Sequence, residues 1–192
     1  NALTRPAPVA AREIMRRYGL RERGYFLFLG RLVPEKGLRY LICAYRQLRT
    51  TLSLVIAGGG SDTDAFVAEL KAMAGDDPRI AFTGFAQGQL LAELYSNAAA
   101  YVLPSDLEGM PLSLLEAMSY GNCCIVSDIP ECAEVVGDHA VLFAKGDCAD
   151  LAAKLQALAD EPARMQAYRD GAADYVVERY NWSRIVSQTL LL

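Results

Sequence analysis

The chain has 192 residues, 53% of them hydrophobic, and a formal net charge of −4. That is enough apolar content for one sizeable core, and the sign of the charge argues against a general nucleic-acid binder. No stretch approaches the roughly 20 apolar residues of a transmembrane helix, and the start has no signal-peptide apolar region.

In chain order, residues 1–20 read as an N-terminal helix and linker, 21–146 as a sheet region that carries the motifs, and 147–192 as C-terminal helices. Tyr25-Phe-Leu-Phe-Leu29 is a continuous apolar run of strand type, and a helical pattern follows at Leu38, Leu41, Ile42, Tyr45 and Leu48. Further strands are expected at about 53–57, 79–82, 100–103, 123–126 and 140–143, each separated from the next by a helix or a helical turn. Such alternation predicts an α/β fold: a Rossmann-like, doubly wound parallel sheet of about six strands with helices on both faces. The first strand–helix turn lacks Gly-x-Gly-x-x-Gly, which weakens a dinucleotide-dehydrogenase reading. Gly58-Gly-Gly60 after the second strand reads as a close turn near a ligand or simply as a loop. After Gly146, Leu151, Leu155 and Leu158, then Met165, Tyr168, Ala172 and Tyr175, form helices expected to pack on the sheet and to end near Trp182. Asn1-Ala2 is not a natural start, and Ile185 to Leu192 ends without a helix cap, so the chain reads as an excised domain.

Two segments carry chemistry. Gly30-Arg-Leu-Val-Pro-Glu-Lys-Gly37 is a strand-to-helix loop bracketed by Arg31 and Lys36. In an open parallel sheet, ligands bind beyond the carboxyl ends of the strands, where such loops gather. Arginine offers a planar fork of donors and lysine a compact charge, a pairing suited to the oxygens of a diphosphate. In the second segment, Asp106 to Met118, Glu108 and Glu116 lie eight residues apart. Pro104-Ser105 closes the preceding strand and Pro111 opens a helix through Leu112, Leu115 and Met118. The helix start aims N–H groups and partial positive charge outward, Gly109 allows close approach, and two carboxylates at different depths accept from hydroxyls of a sugar and a ribose.

Together these segments resemble the C-terminal domain of the family 4 glycosyltransferases, a retaining group with the GT-B fold. The resemblance runs from about Tyr25 to Trp182. Besides the two segments it includes Val55-Ile-Ala-Gly-Gly-Gly60, Ile80-Ala-Phe-Thr-Gly-Phe85, Leu103-Pro-Ser105, Gly121, and Glu134 before Val135-Val136. It implies that Arg31 and Lys36, with Glu108, form the catalytic set: the two cations hold the donor diphosphate and neutralise it as it leaves. Glu108 with the amides of Gly109, Met110 and Leu112 would hold donor sugar and phosphate. Glu116 would bond the ribose, Gly30 would be among the donor-binding residues, and the backbone around Gly84 and Phe85 would face the nucleobase. Where the family often has an aromatic residue and a glycine after its Glu-Gly, this chain has Met110-Pro111, and Pro111 removes one N–H donor.

The implied activity is transfer of a sugar from a nucleotide diphosphate sugar to an acceptor hydroxyl, with retention, in glycoconjugate or cell-surface polysaccharide synthesis. The fragment alone is expected to turn over little or nothing. The acceptor, a glycan or lipid-linked sugar, would be held by an N-terminal lobe that is absent here. The implied location is the cytoplasm, including the inner face of the membrane through a peripheral contact of the full-length protein. A sugar-nucleotide epimerase-like lobe and a non-catalytic nucleotide-sugar-binding lobe are the alternatives. No cofactor and no metal are expected: Asp62 and Asp64 have Asp-x-Asp spacing but read as solvated helix-start acids. Cys43, Cys123, Cys124, Cys132 and Cys148 show no paired metal spacing, and an odd number without a framework reads as reduced thiols of a cytosolic protein. Cys123-Cys124 reads as packing within a buried strand, and His139 as a loop residue.

Overall fold

The structure is a computed structural model that describes residues 3–59 and 64–180. Six apolar runs form β1 (Tyr25–Leu29), β2 (Ser53–Ala57), β3 (Ile80–Gly84), β4 (Ala100–Leu103), β5 (Cys123–Ser127) and β6 (Val141–Phe143). They pair in parallel in the order β3-β2-β1-β4-β5-β6. Strands covered on both faces read as unbroken apolar runs rather than alternating ones, and β1, β4 and β5 are buried almost throughout. The expected fold is therefore the observed one. β3 begins one residue later than expected and runs on to Gly84, past the bulge at Ile56/Ala57 in its pairing with β2.

The chain winds outward from β1 to β3 through α2 (Leu38–Tyr45) and α3 (Asp64–Ala74), then returns through α4 (Gly88–Asn97) to β4. From there α5 (Leu112–Ser119) and α6 (Pro130–Val136) lead outward the other way to β6. Right-handed crossovers put these two sets of helices on opposite faces. The winding reverses between β1 and β4, joined at Phe26↔Ala100 and Leu27↔Tyr101.

Two of the three C-terminal helices pack on the sheet as expected, and the third does not. Of α7 (Cys148–Asp160), α8 (Pro162–Arg169) and α9 (Ala172–Arg179), α7 meets α2 and β6, α8 meets β5, and α9 lies on α5 rather than on the sheet. Ala172, Ala173 and Val176 form the buried stripe of α9. Trp182 and Ile185 to Leu192 lie outside the described residues, as do Asn1-Ala2.

The N-terminal segment is held by one buried acid. Glu93 of α4, 1% exposed, accepts through Oε2 the N–H groups of Arg12 (3.0 Å), Glu13 (2.7 Å) and Ile14 (3.1 Å) at the start of α1 (Glu13–Tyr18). Asn97 adds a bond to the Val9 carbonyl at 2.9 Å. Glu93 thus caps a helix that has no side-chain cap of its own. Burial works to raise its pKa, but the bonds from Ile14, Gln89, Arg12 and Glu13 outweigh it and hold the carboxyl below its ordinary value.

The cysteines correct the reading of five reduced thiols. Packing of α2 on α7 joins Cys43 to Cys148 in a disulfide, with Cα atoms 6.2 Å apart, inside the range a disulfide spans. The partners are 105 residues apart in sequence, so spacing carried no sign of the pairing. Cys123, Cys124 and Cys132 are free and buried. Burial pushes the Cys123 and Cys132 thiols up to about 12, which leaves them unreactive as nucleophiles.

Glu93→Gln keeps the shape of the side chain but not the charge, and should destabilise the fold by about 1.5–3 kcal/mol, the range for hydrogen bonds to charged groups. Because the native carboxyl titrates below its unfolded value of about 4.3, this contribution is complete above that pH and is lost as pH falls through the lower native value. Urea melts of both proteins should therefore converge in acid. Reduction of the Cys43–Cys148 bond, which closes a long loop, should cost about 2–4 kcal/mol in the same assay. A Cys43→Ser/Cys148→Ser variant should match the reduced protein.

Candidate functional site

The loops that carry the candidate residues follow the carboxyl ends of β1, β2, β3 and β4. After Leu29 the chain passes Gly30 and Arg31, makes a single tight turn at Pro34–Lys36, and enters α2 through Gly37. Gly37 has φ +67°, and a Cβ there would overlap the Pro104 carbonyl oxygen. Only glycine lets the loop after β1 lie against the loop after β4. Further bonds tie the two loops together: the Asp106 N–H donates to the Glu35 carbonyl at 2.8 Å, and the Tyr40 hydroxyl to Asp106 Oδ2 at 3.3 Å.

Across this seam lies the main electrostatic contact. Lys36 Nζ donates to both oxygens of Glu108, at 2.6 and 2.8 Å, and the Ser105 hydroxyl donates to Oε1 at 2.6 Å. The lysine side chain is 15% exposed and the glutamate 5%. Lys36, expected on the donor diphosphate, and Glu108, expected on the donor sugar and phosphate, are thus partners of each other. The sequence reading missed this because 72 residues separate them. Ser105, three residues before Glu108, was within reach of a local reading.

Arg31 stands apart from that pair. It is exposed and, among the described residues, makes no ion pair. With Gly30, Gly58, Gly59 and Phe85 it lines a cleft of about 240 Å³. Gly58 has φ +148°, and a Cβ there would overlap the Gly30 carbonyl, so the loops after β1 and β2 pack backbone to backbone. Gly58 and Gly59 therefore belong to the cleft wall, while Gly60 lies outside the described residues. Gly84 takes φ +70° and turns the chain so that Phe85 stands 73% exposed over the cleft.

On the other side of the seam, α5 begins at Leu112, with Pro111 just before it at φ −76° and ψ 75°. The Leu112 N–H donates to the Met110 carbonyl at 2.8 Å and is therefore engaged, unlike the free donor expected there. Among the described residues the N–H groups of Gly109 and Met110 have no protein acceptor, and both residues are exposed. Glu116, the fifth residue of α5, is exposed and accepts from the Tyr95 hydroxyl at 3.1 Å. The sequence reading did not find Tyr95, and no local signal pointed to it.

Among the described residues no three His, Cys, Asp or Glu side chains gather as metal ligands. His139 lies in a turn and stacks on Tyr175 at 4.2 Å. Asp64 is the first residue of α3, where an acid suits the helix dipole, and Asp62 lies outside the described residues. The arrangement offers one free guanidinium, two free amides, a neutral lysine–glutamate pair and a tethered carboxylate around one sheet edge. Such a set is suited to an anionic, hydroxyl-rich ligand.

Known proteins resemble this chain in sequence and fold. Residues 23–161 match the family model described as "Glycosyl transferases group 1". The O-antigen chain mannosyltransferase B of Escherichia coli is 30% identical over 189 residues, covering 96% of this chain and 49% of that protein. The alpha-maltose-1-phosphate synthase of Mycobacterium tuberculosis is 29% identical over 177 residues, 85% of this chain and 46% of that one. The chain spans about half the length of the curated relatives it matches. Anabaena Alr3699/HepE, crystallised with UDP and glucose, superposes with a TM-score of 0.83 at 20% identity, over 93% of this chain and 51% of that one. Sucrose-phosphate synthase of Thermosynechococcus elongatus gives a TM-score of 0.81 at 26% identity, over 98% and 49% of the two chains. The fold is thus that of one lobe of the GT-B architecture, and the chain belongs to the group 1 glycosyltransferases.

Proposed function

We propose that this chain is the donor-binding lobe of a retaining family 4 glycosyltransferase, and that the whole protein moves a sugar from a nucleotide diphosphate sugar to an acceptor hydroxyl. The observation that carries this reading is the Lys36–Glu108 ion pair that joins the loops after β1 and β4 at the switch point of the sheet, with Arg31 on the first of these loops, the Gly109 and Met110 amides on the second and Glu116 in the helix that follows it. Ligands of open α/β sheets bind at such a point. The crystal structures of Alr3699/HepE with UDP and with UDP-glucose support the nucleotide-sugar part of the reading.

Breaking the bond between sugar and phosphate builds negative charge on the departing diphosphate. Fixed donors aimed at that charge stabilise the transition state more than the ground state. Arg31, with no ion-pair partner among the described residues, takes the diphosphate directly, and the Gly109 and Met110 amides take oxygens of the adjoining phosphate or sugar. Lys36 shares its charge between Glu108 and the phosphate, which keeps the empty pocket neutral and lets the charge shift towards the leaving group. Glu108, still bonded to Ser105, then accepts from donor sugar hydroxyls, and Glu116 accepts from the ribose. Phe85 and the Gly84 backbone bound the nucleobase end of the cleft. In this role the cations and amides do the work of a metal, and no cofactor is invoked.

The acceptor, a glycan or lipid-linked sugar, falls to the half of the relatives' length that this chain does not cover. The O-antigen chain mannosyltransferase among the relatives favours polysaccharide or glycoconjugate synthesis. Among the described residues no helix is long and apolar enough to cross a membrane. A cytoplasmic location with a peripheral contact at the inner membrane face is the expectation from the family resemblance alone, since the Cys43–Cys148 disulfide removes the argument from reduced thiols.

Calorimetric titration with UDP, GDP and ADP in the presence of a chelator tests the site. Arg31→Ala should weaken the bound diphosphate by about 1.5–3 kcal/mol and leave the parent nucleoside unaffected. Lys36→Ala should cost at least as much, because it also leaves the Glu108 carboxylate beside the phosphates, and adding Glu108→Gln should recover part of that loss. Equal losses for nucleoside and diphosphate would sink the assignment.

A further inference from the structure

Glu116 is exposed at its tip, and an exposed glutamate ordinarily samples several rotamers, which a ligand must then freeze. Here one of its oxygens is held from below. The Tyr95 hydroxyl reaches Glu116 Oε2 at 3.1 Å and the Ser113 carbonyl at 3.2 Å. Tyr95 itself has little freedom: it is 1% exposed, stacks on Tyr120 with ring centres 5.3 Å apart, and tilts against Tyr101 at 6.1 Å. Burial first, then the neighbouring Tyr101 and Glu116, drive its pKa well above the ordinary value, so the hydroxyl keeps its proton and acts as a donor.

Tyr101 provides an internal contrast. It is equally buried, and its hydroxyl donates to Ser113 Oγ at 2.8 Å and lies 3.1 Å from the Leu29 carbonyl, but it does not bond Glu116. Two tyrosines therefore lie under one site, and one of them touches the carboxylate.

We propose that Tyr95 is a positioning residue for donor recognition: it holds Glu116 Oε2 so that the other carboxylate oxygen is preset towards the ribose hydroxyls of a nucleoside diphosphate. The role rests on the donor-site reading above. It makes Tyr95 a determinant of the preference for ribose, acting through Glu116 without touching the ligand. Preorganisation of this kind shows as affinity, because the rotamer cost is met before binding.

The test compares UDP, GDP or ADP, whichever binds the unaltered chain, with its 2′,3′-dideoxyribose form. Tyr95→Phe keeps the ring and removes the hydroxyl. It should weaken the ribose form by about 2- to 10-fold, the effect of one hydrogen bond, and leave the dideoxy form unchanged. Glu116→Gln should remove the ribose preference by itself, and Tyr95→Phe added to it should change nothing further, as a shared contact requires. Tyr101→Phe should affect both nucleotides alike. If Tyr95→Phe weakens both nucleotides equally, or adds fully to Glu116→Gln, the residue serves packing only and the proposal is overturned while the donor site stands. If Glu116→Gln leaves the ribose preference intact, or no nucleoside diphosphate binds, the donor reading fails and this role fails with it. Should Tyr95→Phe not fold, an NMR label at tyrosine Cζ in the unaltered chain gives the same answer. The Tyr95 signal must move on binding the ribose form and stay in place with the dideoxy form, and equal movement would count against the role.

Discussion

The site depends on one contact, the ion pair of Lys36 and Glu108 across the β1/β4 seam. A charge pair with so little exposure is stabilising only where its geometry is good and its remaining lone pairs are met. Both conditions hold: the lysine reaches both oxygens, and Ser105 satisfies Oε1 from the other side. The pair can form because the backbone beneath it is already closed. Gly37 against Pro104 and Asp106 against Glu35 bring the two loops within side-chain reach. The chemistry of the edge therefore begins with a glycine that needs φ +67° and tolerates no Cβ.

Beneath the seam, buried polar groups are arranged to support loops rather than to react. Tyr101 links the end of β1 to Ser113 in the first turn of α5, and Tyr95 links α4 to the same turn and to Glu116. Asn122, also buried, donates to the Tyr95 and Ala117 carbonyls at 2.9 and 3.1 Å. Networks like these gain strength in a low-dielectric interior when their members are satisfied, and here Asn122 Oδ1 is left without a hydrogen-bond partner among the described residues. Through Tyr95 these networks reach the exposed Glu116 carboxylate of α5.

Elsewhere the same logic joins distant segments. Glu93 gathers three N–H groups of the N-terminal helix, and the Cys43–Cys148 bond joins the helix that follows the Lys36 loop to the first C-terminal helix. Tyr40, on that same α2, packs beside Gly146 and bonds Asp106. The packing of α2 against α7 thus lies directly behind the loop that carries Arg31 and Lys36.

The sequence by itself determined the strands, their parallel pairing and the loops that carry the candidate site. Unbroken apolar runs such as Tyr25–Leu29 and Ala98–Leu103 admit few other environments, and Gly, Pro and charge between a strand and a helix mark where backbone must turn and side chains must stay wet. It also placed Arg31 and Phe85 at the carboxyl end of the sheet, because each follows a strand within two residues, and Glu116 in the helix that the loop after β4 opens. Tertiary structure alone decided which charges are free. Lys36 found Glu108, Glu116 found Tyr95, Cys43 found Cys148 and Glu93 found a helix start, each across 21 to 105 residues. The Leu112 amide, expected to face a ligand, closed on Met110. Local sequence sets backbone preference and burial, both short-range effects, whereas the partner of a buried polar group is whatever the folded chain brings within about 3 Å.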